Sequence, residues 1–461
     1  MCSGNPPNYH RLIVACVVRA DDGDESRQHS APSAADRRPL LPAPSHQLVQ
    51  DREARPCQHR GPGTLSQAYR SEEGLRGASG ETEKHDHANI VDRDHYLKHI
   101  DTKKAFEERR EKLDEHIHMM PAVAPSKRTI YPKRQEMGEC KPLFGKVLVF
   151  VAYVESSMKT HYKVAQDTLH CYLKGTNYTT AFVDLDHDKR VKENCPHDQL
   201  FFKKHCAASV YLQDVDWMLV LDADTAVVNP NHCIEEWIDD RVDLVFYERF
   251  FNWEIASGNY LAKNTEFART FLRKWADWQY IQPSNWNGAD NGVLQLHILQ
   301  TVLPDAVQEV KACDAIWHKG TDYDSYMAYV TCVKVMLGAN RIWPGKIRIY
   351  RRAHGWVRDG FLTSDNFCDS DFMLHGWKLQ AIETNGWNSP FRKMFNVSEC
   401  GSAYLGWNYR PGYKITCEEV RKRLAAFEQS AGNTFPKKAQ GLPYLTQPDI
   451  GNCYPKCDDL T

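Results

Sequence analysis

The strongest constraint on this chain lies between Asp214 and Pro230, which read DVDWMLVLDADTAVVNP. Trp217 to Leu221 is an almost wholly apolar run of strand formers, long enough to cross a buried sheet once. It stops abruptly at Asp222-Ala223-Asp224, and Asn229-Pro230 then supply a turn signal. Two carboxylates one residue apart at the carboxyl end of a buried strand are costly to desolvate without a cation. A divalent ion, Mn²⁺ or Mg²⁺, meets that need through carboxylate oxygens and keeps positions open for phosphate oxygens. Capping of the following turn is the competing role for the same pair.

The flanking chain supplies a sheet for this strand. Lys146 to Tyr153 (KVLVFVAY) is a strand by its β-branched and aromatic content, and a helical pattern follows from His161 to Leu173. Thr179 to Leu185 is a second strand and Gln199 to Leu212 a second helix, before the Trp217 strand. This β-α-β-α-β order predicts an α/β fold with a mostly parallel sheet and helices on both faces. Ligands of such sheets bind outside the carboxyl ends of the strands, where Asp184, Asp186, Asp222 and Asp224 would form an acidic rim.

The remainder of the chain frames this region. Residues 1–90 mix Pro, Gly, Ser, Arg, Asp and His without an apolar period, and are expected to be disordered. Leu12 to Val18 has the outline of a minimal signal-peptide core and is far too short to span a bilayer; a terminus that has lost its membrane anchor is the other reading. Residues 91–144 read as a charged helical stem, 145–380 as the globular domain and 381–461 as a Cys-, Trp- and Tyr-containing appendage. A net charge of −2 without a basic cluster argues against a nucleic-acid partner.

Two chemistries place an Asp pair at a strand end. In the aspartyl-phosphate phosphatase type, the pattern hhhDxDxT is broken here by Ala226, with Thr225 one place early. Sugar transfer from a nucleotide sugar is favoured by the residues downstream of the pair. Asp243 to Tyr247 is a further strand, and Ala256-Ser257-Gly258-Asn259-Tyr260-Leu261-Ala262-Lys263-Asn264 runs into an amphipathic helix from Thr265 to Trp278. Asn287-Gly288-Ala289-Asp290-Asn291-Gly292 then heads a helix expected from Val293 to Leu299.

The order LDAD, SGNYLAKN with FARTFLRKW, then ADNGVLQLH resembles the GT-A glycosyltransferases. It looks most like the family of yeast α-galactosyl- and α-mannosyltransferases and plant xyloglucan xylosyltransferases; its wording is closer still to a family of uncharacterised nematode proteins. The resemblance covers about residues 145–380. It implies a DxD pair at Asp222 and Asp224, with Asp224 on the metal and Asp222 on the ribose or the metal's water shell. Asp184 would add to donor binding on the same rim. Ser257, Gly258 and Asn259 match the donor-sugar loop, where small residues let the backbone approach a sugar. Asp290 and Asn291 match the acidic and glutamine positions at the sugar, with Asn shorter by one methylene and Ala289 in place of a first Asp. Capping of the next helix is the alternative for Asp290 and Asn291.

Two His-Gly-Trp triplets come next, His354-Gly355-Trp356 and His375-Gly376-Trp377, the second succeeded by Lys378. Many retaining GT-A enzymes complete the metal shell with a late His, followed by Gly and a diphosphate-binding Lys, a pattern that His375 and Lys378 fit. His354 is the spare candidate, and a structural hydrogen-bonding role is open to either.

Fifteen cysteines, twelve of them between Cys140 and Cys457, include no Cys-x-x-Cys pair. They argue against a zinc site and for disulfides in an oxidising lumen. Asn177-Tyr178-Thr179 and Asn396-Val397-Ser398 are glycosylation sequons. The expected protein is a metal-dependent, retaining glycosyltransferase of the Golgi lumen or extracellular space. It would take a UDP- or GDP-linked hexose or pentose and a glycan or glycoprotein acceptor. A catalytically silent nucleotide-sugar- or carbohydrate-binding protein of the same fold is the rival.

Overall fold

The computed structural model describes residues 127–134, 138–378, 390–401, 404–432 and 448–460, so the expectations for 1–90 and for the charged stretch through His118 lie outside the described residues. Among the described residues the strands are β1 Val147–Tyr153, β2 Thr179–Asp184, β3 Trp217–Leu221, β4 Ala226–Val227, β5 Leu244–Tyr247, β6 Tyr260–Lys263, β7 Ile342–Trp343, β8 Ile347–Tyr350, β9 Val357–Asp359 and β10 Met373–His375. The principal helices are α1 Lys163–Lys174, α2 Lys189–Asn194, α3 Leu200–Tyr211, α4 Glu266–Asp277, α5 Ala289–Val302, α6 Val307–Trp317, α7 Tyr323–Leu337 and α8 Cys417–Gly432.

Seven strands form one sheet in the order β2-β1-β3-β6-β5-β8-β7. The strands β2, β1 and β3 run parallel, as their alternation with helices predicts. The expectation of a mostly parallel sheet fails past β3. Strand β6 is antiparallel to both β3 and β5, β7 is antiparallel to β8, and only β5 and β8 add another parallel pair. The fold is α/β with a mixed sheet. Residues 248–259 join β5 to β6 with no helix among them, so the chain turns back beside β5 instead of crossing over the sheet.

Side chains alternate across the sheet, and both faces are apolar. Leu148, Phe150, Met218, Val220, Phe246 and Tyr260 point into one core, packed with α3, α4, α5 and α7. Val149, Val151, Leu219, Leu221, Val245 and Leu261 point into the other, packed with α1. Burial on both sides explains why β1 and β3 read as continuous apolar runs and not as alternating ones.

A second sheet of three strands, β4-β10-β9, positions the site. Strand β10 is antiparallel to β4 and parallel to β9, with Leu374 opposite Ala226 and His375 opposite Asp359. Since β4 begins two residues after Asp224, this ladder carries His375 back to the Asp pair.

Chain outside the central sheet is fastened to it. Arg134 donates to the Pro230 carbonyl at 2.5 Å, and Tyr131, Cys140 and Cys233 form a small buried cluster. Val420 and Leu424 of α8 pack with Phe250, Leu362, Cys368 and Ile450. All twelve cysteines among the described residues are paired: Cys140–Cys233, Cys171–Cys400, Cys195–Cys206, Cys313–Cys332, Cys368–Cys417 and Cys453–Cys457. Such a set is compatible with a secreted or lumenal protein. No helix among the described residues is long and apolar enough to cross a membrane.

Candidate active and metal-binding site

Strand β3 delivers Asp222 to the sheet edge, and several contacts hold the turn beyond it. Thr225 N–H donates to the Asp222 carbonyl at 3.0 Å. Gln166 Nε2 donates to the Ala223 carbonyl at 2.6 Å, and Trp377 N–H to the Asp224 carbonyl at 2.9 Å. Asn259 Oδ1 accepts from both Asp222 N–H (3.0 Å) and Thr225 Oγ1 (2.9 Å), while its Nδ2 donates to Tyr247 Oη at 3.1 Å. A Cβ on Gly258 would stand 1.8 Å from Asp222 Oδ2. An added Cβ would force the Asp222 carboxylate to shift, so the close approach of Asp222 is itself a reason for glycine here.

His375 closes the group. Its Nε2 lies 3.3 Å from Asp224 Oδ1 and 3.5 Å from Asp222 Oδ2, and its Nδ1 lies 2.9 Å from Asp359 Oδ1. Donor atoms of Asp222, Asp224 and His375 all fall within 4.8 Å of one another. Burial works against a charged imidazole, but Asp224, Asp222 and Asp359 outweigh it and raise the His375 pKa well above the usual histidine value. Burial likewise disfavours the Asp222 carboxylate, and Lys204 with His375 overcomes it, holding that carboxyl low. The three side chains are close enough together that they could hold a divalent cation between them. Two hard oxygens and one imidazole suit Mn²⁺.

Beside the pair, Lys204 Nζ of α3 sits 2.9 Å from Asp222 Oδ1 and 3.8 Å from Asp290 Oδ2. The next residue, His205, places Nε2 3.0 Å from the same Asp290 oxygen, with its Nδ1 3.1 Å from Tyr260 Oη. Burial lowers the His205 pKa to about 4, so a neutral ring, stacked on Trp275, supports Asp290. Burial opposes ionisation of Asp290 too, yet Lys204 and His205 keep its carboxyl below the ordinary value. Helix α5 begins at Ala289, four residues before the expected Val293, and its N-cap is Gly288 in the left-handed region (φ 74°). Asp290 therefore sits inside the first turn and makes no capping bond, which sets aside the capping alternative for it. Asn291 Oδ1 accepts from Ser257 N–H at 3.1 Å and so holds the 256–259 loop.

The other expected residues fall around this centre. Lys378 is half-buried, and its charge acts on Asp224. Asp184 ends β2 but belongs to a separate group with Glu155 and His187, its Oδ2 lying 2.7 Å from His187 Nδ1. Asp186 is exposed. His354 is buried elsewhere, bonded to the Arg352 carbonyl at 2.9 Å and set edge-on to Tyr454, so the spare candidate does not join the centre.

Sequence reasoning missed Lys204, His205 and Asp359. A signal existed for the first two. In LFFKKHCAASVY they precede Ala207, Ala208 and Ser209, so a cation and an imidazole stand on the buried face of α3. Asp359 carries no local signal, because its partner is sixteen residues away across a ladder of three residue pairs.

A family model described as "Protein of unknown function, DUF273" matches residues 169–389. No curated protein matches the chain. Among solved structures, the chain is similar to the crystal structure of a glycosyltransferase involved in the glycosylation of the major capsid of PBCV-1. The identity is 12% and the TM-score 0.24, over 50% of this chain and 93% of that one. The span matched by the family model contains every residue of the centre, from Lys204 to Lys378.

Proposed function

We propose that this chain is a metal-dependent, retaining glycosyltransferase of the GT-A type, moving a hexose or pentose from a UDP- or GDP-linked sugar to a glycan or glycoprotein acceptor in the secretory pathway. One observation carries the reading. Asp222, Asp224 and His375 converge at the carboxyl end of β3 beside a buried, ionised Asp290. A divalent cation held by that trio would supply charge neutralisation for a departing diphosphate. Lys378 adds positive charge on the same side. Asp290, gripped by Lys204 and His205, is placed to accept hydrogen bonds from donor-sugar hydroxyls, with the Ser257–Asn259 loop as the adjoining wall. The acceptor hydroxyl attacks the sugar face from which the diphosphate leaves.

The test is a panel of UDP- and GDP-sugars with the full chain, in Mn²⁺ and in EDTA, scoring binding, hydrolysis and transfer. Binding should require the metal and vanish in Asp224→Asn. Equal affinity in EDTA and Mn²⁺ overturns the reading. A silent sugar-nucleotide-binding protein is the second reading, favoured by Asn291, whose amide oxygen is already engaged by Ser257 N–H. Donor binding without transfer or hydrolysis across the whole panel decides for it.

A further inference from the structure

We propose, resting on the metal reading of the Asp222, Asp224 and His375 trio, that Asp359 is a positioning residue that fixes the orientation and tautomer of His375, and that Arg249 holds Asp359 in place. The register of the small sheet sets the pair side by side, with His375 opposite Asp359 in the parallel β9/β10 ladder. The imidazole has two nitrogens with distinct duties. Nε2 faces Asp224 and Asp222, and Nδ1 meets Asp359 Oδ1 at 2.9 Å. A ring that offers its Nε2 lone pair to a cation must carry its proton on Nδ1, and a carboxylate there accepts that proton's hydrogen bond. Turned around, the ring would present an N–H to the cation.

Asp359 is itself fixed. It is buried, and Arg249 Nη2 lies 3.2 Å from the same Oδ1 that meets His375. Arg249 packs over the Phe251 ring at 4.6 Å and lies 3.6 Å from Glu254 Oε2. Glu254 is bonded in turn to Tyr326 Oη of α7 and to Asn252 Nδ2. A chain of buried and half-buried charged and polar groups thus runs from His375 through Asp359, Arg249 and Glu254 into α7, which packs against the main sheet core. Each member restrains the next, so the orientation of the ring is held by the fold.

Asp359→Asn isolates this role. The volume is unchanged, but an amide can donate or accept, so the preference for a proton on Nδ1 is lost. Mn²⁺ alone is the probe, titrated into the full chain by electron paramagnetic resonance. Spin-echo modulation from a ligating imidazole nitrogen is recorded alongside. Wild type should bind with nitrogen modulation, Asp224→Asn should lose binding, and Asp359→Asn should bind about 10- to 100-fold more weakly with reduced modulation. Asp359→Glu, which restores a carboxylate, should recover part of both. If Asp359→Asn matches wild type in affinity and modulation while Asp224→Asn loses binding, the positioning role is overturned and the metal reading stands. If wild type binds no Mn²⁺, or Asp224→Asn changes nothing, the metal reading falls and this inference with it. Should Asp359→Asn fail to fold, Arg249→Lys keeps the charge with a single donor group. Unchanged Mn²⁺ affinity and modulation in that variant overturn the part assigned to Arg249. Asp359→Ala, which removes the carboxylate outright, then tests Asp359 by the same two readouts, with wild-type values overturning its role.

Discussion

Gly258→Ala is the smallest change that tests how the site is built. No positive φ constrains Gly258, so alanine meets no backbone penalty, and the whole effect comes from space. The added Cβ would stand 1.8 Å from Asp222 Oδ2 and 2.5 Å from its Cγ, where side chains essentially never approach below 3.0 Å. Asp222 would have to retreat by about 1.2 Å, the difference between those limits. Its other oxygen is tied to Lys204 Nζ at 2.9 Å, and its backbone N–H to Asn259. The carboxylate therefore cannot swing away without loosening the Lys204 bond. Overpacking of this kind costs about 1–3 kcal/mol of stability. A ligand displaced by more than an ångström should weaken metal binding by roughly tenfold or more, and slow any transfer by about a hundredfold. The assays are a thermal melt, Mn²⁺ titration and nucleotide binding on the same preparation. Wild-type affinity for both ligands in Gly258→Ala would refute the idea that Asp222 is what demands glycine here.

Further expectations concern charge, pH and compartment. Asp290→Ser should not be rescued as a cap would be, because Asp290 lies inside the first turn of α5. The loss of a carboxylate from buried Lys204 and His205 should cost about 1–3 kcal/mol in a melt, and transfer should fall a hundredfold or so while metal-dependent nucleotide binding through Asp224 persists. Burial lifts the Asp365 carboxyl to about 6, with its Oδ1 accepting from Trp377 Nε1 at 2.9 Å. Because the folded value lies above the unfolded one, this group favours the fold at pH below about 4 and loses that contribution as pH rises through 6. Asp365→Asn keeps the acceptor for Trp377, so its melting temperature should gain on wild type between pH 4 and 7; parallel curves would refute this. In protein secreted from a eukaryotic host, mass spectrometry should find six disulfides among Cys140 to Cys457. Glycan is expected on exposed Asn177 or Asn396. Reduced cysteines with both sequons bare would count against a lumenal protein.

Local chemistry determined much of this protein. Strand formers in Trp217–Leu221 and Val147–Tyr153, and the helical periods between them, are short-range signals, and the structure places β1, β2 and β3 where those signals lie. The Asp pair at the end of β3 was legible because a strand terminus next to two carboxylates is a local event. The count of cysteines pointed to disulfides, while their pairing depends on which Cα atoms the fold brings within reach, as with Cys171 and Cys400, 229 residues apart. Strand direction past β3 was not legible either, since β6 takes its place between β3 and β5 through pairing with both neighbours. The start of α5 was hidden because Asn287-Gly288-Ala289-Asp290 carries turn chemistry, and only contact with α3 makes Asp290 a buried helical residue. The support of the site belongs wholly to tertiary structure. Lys204 reaches Asp222 across eighteen residues and Asp290 across many more, and Asp359 meets His375 through a strand register. Charges of this kind find partners only after the sheet has closed, and no period or spacing along the chain encodes that meeting.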